Sequence, residues 1–242
     1  SLTLPDISLN SKRLYPFKAL GNTAKTQWYD KIMIKYGMNT KNTISTADSL
    51  LFTKKSFSNF RNGMKHNIPI STSIKVLKHF TLNPSFNLTE RWYSSQTEKR
   101  WDANSNRLIT DTLHKFTRAH NYSFSTGLNT KIYGMVEFNK SKIAAIRHVI
   151  TPNLSFRYTP DFSDEKYGYY KTVQKNTEGE TEQYSVMNNG VYGSPSKGKS
   201  GNMSLGFSNI LEMKIRSKKD TVESFKKIKL FESLSIKSSY NI

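Results

Sequence analysis

Residues 193–200 read GSPSKGKS, which fits the spacing G-x-x-x-x-G-K-[ST]. In a nucleotide-binding protein that spacing supplies backbone amides around phosphates, a lysine that reaches them and a hydroxyl that holds magnesium. The chemistry needs a buried strand before the loop and a helix after it, so that the helix N-terminus meets the phosphates. Here the upstream run NTEGETEQYSVMNNGVY is polar, and downstream Met203, Leu205 and Phe207 alternate with small polar residues as in a strand. The letters match without the fold that gives them meaning. Residues 193–201 are therefore expected to form the flexible basic end of a long loop.

The other candidates for chemistry are weaker. Asp161, Asp164 and Glu165 in DFSDEK form a lone acidic cluster of a kind that takes calcium or bridges anionic sugars through a divalent ion, but far more often is simply solvated. His66, His79, His114, His120 and His148 show no ligand spacing with a second Asp, Glu or Cys site and read as interfacial or loop residues. The chain has no cysteine. That removes disulfide frameworks and thiolate sites and leaves the redox compartment open. With no nucleophile–base pair and no paired carboxylates at diagnostic spacing, the expectation is a non-enzyme without cofactor or metal.

Charge is the stronger signal. Of 242 residues, 37 are Lys or Arg and 18 are Asp or Glu, a formal net charge of +19 that calls for a polyanionic partner. Nucleic acid and lipopolysaccharide are both such partners. No run approaches the roughly 18 apolar residues of a membrane helix, and the mean hydropathy is −0.63. A helical membrane protein is excluded. A membrane barrel is not, because strands that alternate apolar-out with polar-in average to a polar composition. The first residue is Ser and no signal segment opens the chain, so it reads as an internal or processed piece.

What must position these cations is a repeated period of two. Met64, His66, Ile68, Ile70, Ile74 and Val76 alternate with Lys65, Asn67, Pro69, Ser71, Ser73 and Lys75; after LKH, Phe80, Leu82, Phe86 and Leu88 alternate with Thr81, Asn83, Ser85 and Asn87. Two long amphipathic strands with a tight turn are predicted there. The same alternation runs through Tyr122–Ile132, Ile150–Tyr158, Ile32–Met38, Met203–Ile215 and Ile228–Tyr240, with a weaker opening strand through Leu2, Leu4, Ile7 and Leu9. About eight strands result and no segment shows a helical period. The predicted class is all-β: part of an antiparallel transmembrane β-barrel, with residues 1–242 forming a single barrel segment.

Long polar connections over residues 40–62, 94–115 and 161–201 alternate with short ones, as in an outer-membrane barrel with tight periplasmic turns and large outer loops. A soluble β-sandwich also alternates, but with shorter strands and no long–short order of loops. Pro69, Pro84 and Pro152 interrupt the strands and are expected at bulges or strand ends, with a lateral weak point as a corollary. Trp28, Tyr29, Trp92, Tyr93 and Trp101 fall at or beyond strand ends, where an interfacial girdle belongs.

On the wet faces stand Lys31, Lys35, Lys65, Lys75, Arg91, Lys131, Arg157, Lys214, Lys229 and Lys237. In a barrel these are the candidate ligands for phosphate and acidic sugar, with arginine able to fork onto a phosphate. The bland alternative is solvated interior charge. Base stacking would need aromatics on the cationic face, whereas Phe80 and Phe86 lie opposite Lys65 and Lys75, which argues against nucleic acid.

Several stretches, among them FRNGMKHNIPISTS, FNLTERWYSSQTEKRWD, YSFSTGLNTKIYGM and, most specifically, IRHVITPNLSFRYTPDF, resemble the barrel of the LptD family, the outer-membrane lipopolysaccharide-assembly proteins, in its Bacteroidota form. The resemblance covers nearly the whole chain. It implies a bacterial outer-membrane location and a large barrel, of which this chain is part of the wall. It further implies passage of sugars through the lumen and exit of lipid through a lateral seam. The implied partners are lipopolysaccharide, an LptE-like plug lipoprotein and periplasmic Lpt bridge proteins. The last residues, SSYNI, lack the closing aromatic of a complete barrel, in keeping with a piece of the wall. A cysteine-controlled assembly step does not carry over, since the chain has none. Another outer-membrane porin or translocon, or a soluble basic β-protein that binds polyanions, remain the alternatives.

Overall fold

The computed structural model describes residues 2–18, 27–44, 61–216 and 225–242. In chain order the strands are β1 (Leu2–Asn10), β2 (Met33–Ile34), β3 (Gly37–Ile44), β4 (Arg61–Ser71), β5 (Ile74–Val76), β6 (Phe80–Leu82), β7 (Ser85–Tyr93) and β8 (Gln96–Asp102). They continue with β9 (Arg107–Leu113), β10 (Thr117–Asn129), β11 (Ile132–Glu137), β12 (Ile143–Thr159), β13 (Tyr170–Gln174), β14 (Thr181–Ser185), β15 (Ser200–Arg216) and β16 (Phe225–Asn241). The strand pairs among the described residues are antiparallel, as hairpin-connected strands require. The long connection over residues 45–60 lies outside the described residues.

The chain divides into two compact units. The first (residues 1–71, 85–124 and 159–200) holds β1, β3, β4, β7 and the first part of β10 in that order, with β2 extending β3 along β4. The weak opening strand has a structural reason. Its apolar series switches from even to odd positions, and the β1–β3 register shifts between Thr3 and Asp6, a bulge that contains Pro5. The second unit (residues 72–84, 125–158 and 201–242) holds the β5–β6 hairpin, β11, β12, β15 and β16. The hairpin turns through Leu77 and Lys78 with φ of 49° and 63°, the consecutive left-handed conformations that match the twist of two-stranded ribbons.

The long β15–β16 pair shows the two-faced design in full. Met203 lies opposite Tyr240, Phe207 opposite Ile236 and Met213 opposite Ile228 on one face; Ser204 lies opposite Ser239, Gly206 opposite Lys237 and Ser208 opposite Ser235 on the other. The apolar members are not buried: Phe207 is 40% exposed, Ile236 61% and Tyr240 72%. A contiguous apolar face left uncovered is what lipid, not water, makes stable. Two register shifts interrupt the pair between Asn209 and Glu212, and Leu230 falls between the pairs Leu211–Phe231 and Glu212–Lys229, which explains the stutter in the sequence pattern of β16.

The prolines sit where the neighbouring strand breaks. Lys35, between β2 and β3, donates its backbone N–H to Pro69 O at 3.1 Å, and Thr130, between β10 and β11, donates to Pro152 O at 3.3 Å. Neither proline has an N–H to return, so the ladder is interrupted at those two residues while the register continues on either side. Pro84 lies between β6 and β7, and its carbonyl accepts from Thr72 N at 3.1 Å.

The segment 159–200 departs most from the sequence reading. It is not a flexible loop but a folded cap built on the β13–β14 hairpin. Phe162, Tyr169, Val186 and Met187 are buried together with Tyr93 of β7 and Ala119 of β10, and Tyr122, Tyr167, Tyr170, Val191 and Tyr192 pack against them. Tyr93 therefore belongs to a core, 2% exposed, and not to a girdle. Its ring fits between glycines: a Cβ added at Gly63 would stand 2.8 Å from Tyr93, and one at Gly190 2.6 Å from it. The connection over 94–115 is likewise a hairpin, β8–β9, tied to the cap through Lys99 Nζ and Glu182 at 2.7 Å. Trp92 packs on His66 at 4.3 Å between ring centroids, and His66 Nδ1 lies 2.7 Å from the Tyr36 hydroxyl.

Candidate polar-face site

The would-be phosphate loop is occupied by the protein itself. Gly198 N–H donates to Asp161 Oδ1 at 2.8 Å, Phe162 N–H to Ser196 O at 3.3 Å and the Tyr170 hydroxyl to Pro195 O at 2.6 Å. Pro195 is fully buried, Gly193 and Gly198 take φ of 66° and 78°, and Ser200 opens strand β15, not a helix. A carboxylate of the chain accepts the amide that a phosphate would need. Residues 193–201 are thus fastened, against the expectation of a flexible end.

The acidic cluster is similarly committed. Asp161 also accepts from Ser163 Oγ at 2.6 Å and Ser163 N at 2.8 Å, while Asp164 pairs with Lys166 at 2.9 Å. The Ser163 hydroxyl and amide, with Gly198 N–H and Lys197 adding to them, hold the Asp161 carboxyl below the usual carboxylate range. A depressed folded value means that the charge contributes stability above the ordinary pKa of ~3.9, and that this contribution disappears as pH falls through the folded value. A spin label at Ser196→Cys, made unique by the absence of other cysteines, is expected to gain mobility only on acidification below that range. In Asp161→Asn it should be mobile already at neutral pH. A label equally immobile in both proteins at every pH would sink the assignment.

The sequence-predicted cations fall into distinct settings. Lys31 ends a short 3-10 turn (Tyr29–Lys31) and Lys35 occupies the gap between β2 and β3, so neither stands in a regular strand as the alternation suggested. Asp30 accepts from Gln27 N at 2.7 Å and fixes that turn. Lys75 is on β5 opposite Thr81, Lys131 is in the gap between β10 and β11, and Arg157 is on β12. Lys65 on β4 lies directly opposite Arg91 on β7. Arg91 donates through Nε to Tyr192 O at 3.2 Å and through a second nitrogen to Asn121 Oδ1. Arg61 at the start of β4 likewise donates to Asn189 O at 2.6 Å. Two strand arginines thus hold the cap by its backbone carbonyls. Arg61 was invisible to the alternation argument because it sits at the very start of its strand.

In the second unit, Lys237 lines a depression of about 400 Å³ with Thr151, Asn153, Ser155, Ser204 and Ser208. The Ser155 and Ser204 hydroxyls are 2.6 Å apart, joining β12 to β15 on this face. Gly206 lies opposite Lys237, so the lysine stem passes over a residue without a side chain. With Leu205, Gly206, Phe207 and Ser235 completing the lining, the result is a hydroxyl-rich floor with one amide and one cation, a surface suited to sugar hydroxyls. Lys229 lies opposite Glu212 but pairs with Glu232 at 2.6 Å, and Glu212 pairs with Arg147 of β12 at 2.7 Å.

A chain with one lipid-compatible face, one basic and hydroxylic face and antiparallel strands of up to 17 residues matches, over residues 1–242, the family model described as LptD protein. The chain belongs to the LptD family. LptD proteins serve lipopolysaccharide transport and assembly at the outer membrane, and this chain is part of that machinery. No curated protein and no solved structure matches it. As an LptD chain it is a transport and assembly protein, and its all-β architecture is that of a barrel segment. No helix among the described residues is long and apolar enough to cross a membrane, so any crossing by them is made by strands.

Proposed function

We propose that residues 1–242 form one continuous stretch of barrel wall in the bacterial outer membrane, along whose polar face the sugars and phosphates of lipopolysaccharide travel. The observation that carries this reading is the β15–β16 register, which puts the pairs Ser204–Ser239, Gly206–Lys237 and Ser208–Ser235 on one face and the exposed pairs Met203–Tyr240 and Phe207–Ile236 on the other, with Thr151, Asn153 and Ser155 of β12 beside Lys237. Hydroxyls and amides exchange hydrogen bonds with sugar at little net cost, and lysines attract phosphate without fixing it in one orientation. A conduit needs that combination. The wet-face cations Lys65, Lys75, Lys131 and Arg157 extend the positive field. The reading implies an LptE-like lipoprotein and periplasmic Lpt bridge proteins as partners, and no enzymatic step.

Charge reversal at Lys65, Lys75 and Lys131 tests it. Photo-crosslinking of lipopolysaccharide to the protein, and its delivery to the cell surface, are expected to fall together, with the protein still present and folded in the membrane. Unchanged crosslinking and delivery would overturn a route along these residues.

A further inference from the structure

A second cluster of cations, at the other end of β15–β16, does not balance its charge. Lys214 of β15 lies directly opposite Lys227 of β16, and the next pair along on the same face is Glu212 opposite Lys229. Arg147 reaches in from β12 to Glu212, and Lys229 turns to Glu232. Lys214 and Lys227 form no ion pair among the described residues. Like charges directly opposite in an antiparallel pair are destabilising, so the arrangement weakens the ladder unless an anion joins the two ammonium groups. Between them and Arg147 lies a pocket of about 130 Å³, walled by Met135, Ala145 and Glu212. It has room for one phosphate group with its first waters.

The location gives the chemistry a direction. The pocket lies near the β11–β12 connection, where Arg216 donates to the carbonyls of Phe138 and Ser141 and its amide bonds Lys142 O at 2.9 Å. That connection has only five residues between the strands, Phe138–Lys142, whereas the connection at the far end of β12 spans Pro160–Lys199. In outer-membrane barrels the short turns are periplasmic.

We propose that Lys214, Lys227 and Arg147 form a phosphate-binding site at the short-turn end of the polar face, which takes a phosphomonoester on a sugar headgroup. Arginine offers a planar fork and the two lysines offer point charges, a set that neutralises a dianion while Glu212 holds the arginine in place. Glu212 also disfavours permanent occupancy, because its negative charge lies in the same pocket. A phosphate held there is held reversibly. The proposal rests on the reading of the polar face as a lipopolysaccharide path and assigns one chemical step to one place on it.

The test compares the full-length protein in detergent with its Lys214→Gln/Lys227→Gln variant, using three probes: a phosphorylated glucosamine glycolipid, its enzymatically dephosphorylated form and inorganic phosphate. The native protein should bind the phosphorylated glycolipid at least ~10-fold more tightly than the dephosphorylated one, since one good charged contact is worth about a factor of ten. The variant should lose that preference. Inorganic phosphate should compete at millimolar levels with the native protein and not with the variant. Competition by free phosphate with no discrimination between the two glycolipids would mean a free-anion site and overturn the headgroup assignment. Removing the repelling pair should leave heat resistance the same or higher, so a loss of binding is not a loss of fold. If the phosphorylated glycolipid binds native and variant protein equally, the site is wrong and the conduit stands; if no glycolipid binds the native protein, both readings fall.

Discussion

Replacing Phe162 by alanine is expected to free the cap over residues 159–200 from the strands while leaving the strands paired. Phe162 is fully buried and is the bridge between wall and cap: its ring meets Tyr122 of β10 edge-on at 5.4 Å and Tyr167 at 5.2 Å, and Tyr122 stacks on Phe86 of β7 at 5.7 Å. Truncating a buried phenylalanine costs about 3–5 kcal/mol, and more when the surroundings fail to collapse. Phe162 is the largest fully buried side chain of the cap, so a loss of that size exceeds what local opening needs. Its polar fastenings, among them Arg61 and Arg91 on backbone carbonyls, Tyr93 on Gly193 O at 2.7 Å and Lys99 on Glu182, are hydrogen bonds worth roughly 1–3 kcal/mol each. Hydrogen exchange read by mass spectrometry should show β13 and β14 losing protection and β4, β7 and β15 keeping theirs. Protection unchanged in β13–β14 would mean that the aromatic contact is ornamental and that the polar fastenings hold the cap alone.

Arginine in place of Phe207 should abolish stable assembly, and arginine in place of its neighbour Ser208 should be tolerated. The two positions point to opposite faces of one strand, Phe207 opposite Ile236 and Ser208 opposite Ser235. On a lipid-facing site near the bilayer midplane an arginine costs about 2–4 kcal/mol, whereas a lumen-facing one is solvated. In a soluble sandwich the ranking would also place the larger loss at an inward apolar position, but Phe207 is 40% exposed and so would lose little there. Heat-modifiable mobility of the membrane-inserted protein separates the cases. Equal mobility for Phe207→Arg and the native protein would contradict a lipid-facing surface.

The wall was legible from sequence because a strand with lipid on one side and water on the other repeats every two residues whatever its neighbours are. That logic found the Met64–Leu88 hairpin and its turn, β12 and β15. The cap was illegible for the opposite reason. Phe162, Tyr167, Tyr169, Val186, Met187 and Tyr192 have no period, because they fill a core from a compact hairpin and its flanks. Tyr93 was misplaced for the same reason, since nothing in the local pattern says what a strand-end aromatic meets. The pairing of charges needs register, and register in β15–β16 depends on two shifts that alternation alone does not locate. Lysines at 214 and 227 became neighbours only once those shifts were known.

Pro69 and Pro152, each opposite a break in the neighbouring strand, bear on where the wall can bend. The register runs on unchanged past both, with Ile34 opposite Ile70, Gly37 opposite Asn67 and Ile132 opposite Ile150, yet neither proline has an N–H to return to Lys35 or Thr130. The ladder is one hydrogen bond short at each place without any loss of alignment. The two prolines therefore act as creases in the wall, where its curvature can change without breaking a further bond.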